Sequence, residues 1–155
     1  MKFWDSSAIA PLLVEEKVST SLRKLYLKDP WMIAWWGTMV ECASALARLE
    51  RESALSPAGV EQSMKRLRAL GSAWQEIQPV EEIKETAVRF VRVHSLRAGD
   101  ATQLAAAFLA SERRPASLYF VCLDHRLRKA ASREGFILMP PELPPDLVKS
   151  QSAGK

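Results

Sequence analysis

The sequence predicts an α/β fold with a mostly parallel sheet. Short apolar runs alternate with segments of helical period along the chain, and no internal repeat or low-complexity stretch breaks that alternation. The 155 residues, 48% of them apolar, suffice for one domain with a full core. Apolar content is too high, and the net charge of +4 too small, for a disordered chain.

The first strand is expected at Lys2–Trp4, running into Asp5-Ser6-Ser7, where Ser7 can cap a helix reaching Glu15. Pro11 falls at the limit of that helix's first turn and predicts a bend. A second helix spans 18–27 and is stopped by Asp29-Pro30; residues 31–35 read as the second strand. Gly37-Thr38 opens a helix to Glu52. Ser56-Pro57 combines a cap with a proline at the first helical position, and Gly71 closes that segment. A short strand is expected over 74–78. Ile83, Ala87 and Val91 mark the inner face of the next helix, and another runs from Asp100 to Glu112. Leu118–Leu123 is a continuous apolar run of the kind covered on both faces. Asp124 ends it, a helix follows to Glu134, Gly135 stops that helix, and 136–139 is the last strand. The domain therefore spans 1–139, and the Pro-rich, then Ser/Gly/Lys-rich residues 140–155 read as an irregular tail.

No apolar run approaches the roughly 20 residues of a membrane span, and a charge at position 5 interrupts any signal-like stretch. Cys42 and Cys122 lie in apolar surroundings and read as buried reduced thiols of a cytoplasmic protein. Two Cys and two His do not supply a Cys/His zinc framework.

Four acids carry the chemical interest. In an open parallel sheet, ligands bind beyond the carboxyl ends of the strands. Asp5 closes the first strand and Asp124 the fourth, so the two share one crevice if those strands are neighbours. Glu41 and Asp100 stand in the first turns of two helices. Glu41 follows a strand directly and should reach the same rim. Asp100 follows a helix, and connectivity alone does not place it. Each acid also has a simpler reading. Asp5 and Asp100 can cap helices, Thr38-Met39-Val40-Glu41 has the form of a capping box, and Asp124 can be a strand-end turn residue. Two carboxylates about 4 Å apart repel by about 1 kcal/mol in water and about 4 kcal/mol at the dielectric of a protein surface. Four around one point therefore call for a cation, and oxygen ligation without Cys or His favours Mg²⁺ or Mn²⁺.

These residues resemble a known family. Phe3-Trp4-Asp5-Ser6-Ser7-Ala8-Ile9 resembles the opening strand and Asp-x-Ser motif of PIN-domain ribonucleases. Thr38 to Leu46 resembles their Glu-bearing helix start, Leu96 to Ala105 their second Asp motif, and Val121 to Leu127 their last acidic motif. Order and spacing are similar to the VapC toxins of type II toxin–antitoxin modules. The resemblance implies a three-layer α/β/α domain with a five-stranded parallel sheet and endoribonuclease activity with Mg²⁺ or Mn²⁺. It also implies a homodimer and inhibition by a VapB-type antitoxin. It makes Asp5 and Asp100 the principal ligands, with Glu41 and Asp124 completing the site. Cys122 departs from the pattern, since Thr or Ser is frequent two residues before the last acid.

Further candidates surround these motifs. Ser7 can bond Asp5 or cap its helix. Arg97 can hold a substrate phosphate or a neighbouring acid. Arg48 shares a helix face with Glu41 and Ser44 and can reach RNA or solvent. The runs Lys65, Arg66, Arg68 and Arg126, Arg128, Lys129 read as solvated helix faces. His94 reads as a buried histidine; Trp31, Trp35 and Trp36 read as core or dimer-face anchors. Besides a toxin, a housekeeping RNA-processing nuclease and a catalytically silent PIN-like binding module fit the same motifs. An aspartyl-phosphate phosphotransferase fits less well, because Ser7 stands where a second Asp is usual.

Overall fold

The computed structural model describes residues 1–143. Elements follow in chain order: β1 (Lys2–Trp4), α1 (Ser6–Leu13), α2 (Ser19–Lys28), β2 (Met32–Trp35), α3 (Thr38–Arg51), α4 (Pro57–Gly71) and β3 (Gln75–Ile77). Then come α5 (Glu81–Val93), α6 (Ala98–Ala110), a 3₁₀ turn (Pro115–Ser117), β4 (Tyr119–Val121), α7 (His125–Arg133) and β5 (Ile137–Met139). The five strands form one sheet in the order β3-β2-β1-β4-β5, every pairing parallel.

Alternation along β1 divides the core in two. Phe3 joins Ile33 and Phe120 against α5, α6 and α7 on one face. Trp4 joins Met32, Ala34 and Val121 against α1, α2, α3 and α4 on the other. Phe3 and Trp4 are fully buried, as suits the middle strand of a sheet covered on both sides. The architecture is three-layer α/β/α.

Several boundaries shifted for identifiable reasons. Asp5, not Ser7, is the N-cap of α1, because its carboxylate reaches the Ser7 amide while Ser7 already has helical backbone. Pro11 lies inside α1, which ends two residues later at Leu13. Helix α6 starts at Ala98, two residues before Asp100. Ser56 caps α4 through Gly59 N–H, and Gly135, at φ +97°, follows α7 in the left-handed region that glycine enters without strain. Past β5, Leu143 packs on the second core, so the tail begins as packed chain; residues 144–155 lie outside those described.

The basic runs are not uniformly solvated. Arg128 is only 7% exposed, and Arg66 donates to the Leu13 carbonyl at 2.9 Å. His94 is buried and pairs with Glu134 at 2.7 Å. Trp35 is a core residue, whereas Trp31 and Trp36 are 72% and 50% exposed. Both cysteines are buried and free. Among the described residues no helix is long and apolar enough to cross a membrane.

Candidate functional site

The sheet order makes β1 and β4 neighbours, with Trp4 in register with Val121. The chain turns to β2 and β3 on one side of β1 and to β4 and β5 on the other, which opens a crevice at their carboxyl ends. Asp5 and Asp124 lie at that edge, one residue past β1 and three past β4. The Asp5 amide donates to the Val121 carbonyl at 2.9 Å and extends the β1–β4 ladder up to the acid itself.

Asp5 is 3% exposed. Its Oδ2 accepts from the Ser7 amide at 3.0 Å and from the Ser7 hydroxyl, and the Cys122 thiol stands 3.6 Å away. Burial raises its carboxyl to about 7; the Ser7 bonds oppose the rise, and the charges of Glu41 and Asp100 add to it. Asp5 therefore caps helix α1 with one oxygen while the charges of Glu41 and Asp100 bear on the same group.

Glu41 is not part of a capping box. Gly37 is the N-cap of α3, and the Thr38 side chain turns inward to Gln103. Glu41 Oε2 accepts instead from the Ser6 hydroxyl at 2.6 Å and from Gln103 Nε2 at 2.9 Å. Three helices thus meet on one carboxylate: α1 through Ser6, α3 through Glu41 and α6 through Gln103. A Cβ built on Gly99 would lie 3.7 Å from Glu41 Oε1, so the first turn of α6 passes directly beside it.

Asp100 belongs to that turn. Burial raises its carboxyl, the charges of Asp124 and Glu41 raise it further, and the Arg97 backbone and the Arg126 guanidinium oppose the shift. Asp124 caps α7 through the Leu127 amide at 2.8 Å. The electrostatic partners close a circuit: Asp5 feels Glu41 and Asp100, and Asp100 feels Glu41 and Asp124. The four acids share one neighbourhood, on the first turns or N-caps of α1, α3, α6 and α7, where helix dipoles favour negative charge.

Such a set fits a hard divalent cation by donor type and charge. As placed, no three Asp, Glu, His or Cys side chains among the described residues are gathered closely enough to hold an ion. Asp5, Glu41 and Asp124 each accept hydrogen bonds from donors within the protein.

Of the other candidates, Ser7 is brought into the centre, while Arg48 and Arg97 are exposed and form no ion pair among the described residues. Arg97 is the N-cap of α6, next to Asp100's turn; Arg48 lies seven residues, about 10 Å of helix, beyond Glu41. Ser6, Gln103 and Thr38 are partners that sequence reasoning missed. Gln103 had one signal, an amide in an Ala/Leu-rich helix three residues after Asp100 and hence on its face.

Comparison with solved structures decides the fold. A toxin–antitoxin complex from Klebsiella pneumoniae superposes at TM-score 0.64 with 15% identity, covering 93% of this chain and 100% of the other. FitAcB from Neisseria gonorrhoeae superposes at TM-score 0.61 with 18% identity, covering 91% and 98%. The chain shares the three-layer α/β/α fold of these structures. No family model matches the sequence, and no curated protein matches it. The likeness therefore rests on backbone geometry, and it carries no residue roles across.

Proposed function

We propose that the protein is a Mg²⁺- or Mn²⁺-dependent endoribonuclease that acts as the toxin of a toxin–antitoxin pair. The observation that supports this reading best is the electrostatic coupling of Asp5, Glu41, Asp100 and Asp124 at the carboxyl edge of β1 and β4. Asp5 and Asp100 would be the principal ligands, with Glu41 and Asp124 completing the set. When bound, the ion supplies a more acidic water and neutralises charge on a scissile phosphate.

The chain's own residues do the rest. Ser7 orients Asp5, and Ser6 and Gln103 orient Glu41. Arg97 and Arg48, both exposed, would offer guanidinium groups to the RNA backbone. The fold shared with the toxin–antitoxin complex from Klebsiella pneumoniae supports an antitoxin as partner; a VapB-type antitoxin, a homodimer and a cytoplasmic place of action are proposed with it, from the family that the sequence motifs resemble.

The test is expression of wild type and Asp5→Ala in a host, scoring growth arrest and RNA cleavage. Wild type alone is expected to arrest growth and cut RNA. Arrest by both forms alike would remove catalysis from the explanation. A silent PIN-like binding module is the second reading, favoured by acids that already hold protein donors. Titration calorimetry with Mn²⁺ bears on the choice: an absence of uptake would favour the silent module.

A further inference from the structure

Arg128 is buried, 7% exposed, yet no carboxylate pairs with it among the described residues. Its guanidinium serves backbone oxygens instead. Nη1 donates to the Cys122 carbonyl at 2.9 Å and, more weakly, to that of Met139 at 3.4 Å. Nη2 donates to the carbonyls of Pro140 and Pro141 at 2.8 and 2.9 Å. A buried cation costs free energy unless it is fully hydrogen-bonded, so these bonds fix both the side chain and what it holds.

The Cys122–Leu123 peptide is what links this cation to the acids. Its oxygen accepts from Arg128, and its N–H, on Leu123, donates to Ser7 Oγ at 2.9 Å. The Asp124 amide approaches the same oxygen at 3.3 Å. With its lone pairs engaged by amides, the Ser7 hydroxyl has its proton left for Asp5, to which it donates. A guanidinium on the carbonyl polarises the peptide and strengthens its N–H as a donor. We infer that Arg128 is a positioning residue for the acidic site: by gripping the Cys122–Leu123 peptide it holds the Ser7 hydroxyl in the orientation that donates to Asp5.

The inference rests on the proposed reading of the acids as a metal site, and its test separates the two. The variants are Arg128→Met, Arg128→Lys and Ser7→Ala, with the double variants, all in the full chain. In metal-free protein, Arg128→Met is expected to speed hydrogen exchange at the Leu123 and Asp124 amides at least tenfold relative to the amides of β4. Arg128→Lys, which keeps the charge but not the two-sided fork, should fall between it and wild type. For Mn²⁺, measured by calorimetry, Arg128→Met should weaken binding on the order of tenfold. In the Ser7→Ala background the same change should weaken it less than about twofold, because the connection is already cut. A role confined to anchoring the tail would lower stability equally in both backgrounds and leave the two amides as protected as in wild type. That result, or additive losses in Mn²⁺ affinity, overturns the inference. Should wild type bind no Mn²⁺, the metal reading fails, and amide exchange alone decides whether Arg128 positions Ser7. If Arg128→Met does not fold, Arg128→Lys carries the same comparison.

Discussion

Asp5 stands at the end of the central strand with its carboxyl raised to about 7 by burial and by neighbouring acids. An unfolded chain ionises this group near 3.8. Below that pH both states hold the proton and stability is undiminished. Between about 4 and 7 only the unfolded chain has released it, so stability falls as pH rises and levels off above the folded value. The loss amounts to at most about 4 kcal/mol for a shift of this size. Asp5→Asn keeps the acceptor for Ser7 and removes the charge. In chelator, its stability by urea unfolding should change less than that of wild type between pH 5 and pH 8. Asp100→Asn likewise keeps shape and removes charge; it is expected to abolish RNA cleavage with little loss of fold, and full activity on a validated RNA would overturn its assignment. Cys122, where the resembled family often has a hydroxyl, places its thiol against Asp5. The hydroxyl donor to Asp5 comes from Ser7 instead.

Among the elements, sequence reading located every strand and helix core, because apolar period, Ser56-Pro57 and Gly71 are local signals. It failed where a polar side chain chose a distant partner over a local one. Thr38 and Glu41 have the spacing of a capping box, yet Gln103, 62 residues beyond Glu41, draws both away from the helix start. Burial explains the outcome: Gln103 is 1% exposed and Thr38 fully buried, and each must be satisfied where it lies. Gln103→Leu removes the amide that joins α3 to α6 and leaves the Thr38 hydroxyl without that bond. A cost of about 1–3 kcal/mol in chemical denaturation is expected, along with weaker Mn²⁺ binding as Glu41 loses a donor. Arg128 escaped for a similar reason. Its neighbours Arg126 and Lys129 are exposed, and nothing local marks the one residue of the run that faces carbonyls.

For the whole molecule, the pairing of β1 with β4 decides whether distant acids meet. Asp5 and Asp124 stand at expected strand ends, but the sequence does not order the strands, and connectivity does not place Asp100, whose helix follows another helix; only its resembled motif points to the site. The order β3-β2-β1-β4-β5 supplies the first contact, and the packing of α6 beside Glu41 supplies the second. Because like charges then lie together, a divalent ion should stabilise the entire fold. Mn²⁺ is expected to raise the thermal midpoint, and more at pH 8 than at pH 5, since at low pH protons on Asp5 compete with the ion. A shift independent of pH would count against Asp5 as a ligand.

The donors that hold each carboxylate give the molecule a means of waiting. Ser6, Ser7, Gln103 and the Leu127 amide hold Asp5, Glu41 and Asp124 by bonds within the protein. Starvation for metal should therefore produce dormancy instead of collapse: a shape that persists, and regains whatever the ion confers once supply returns.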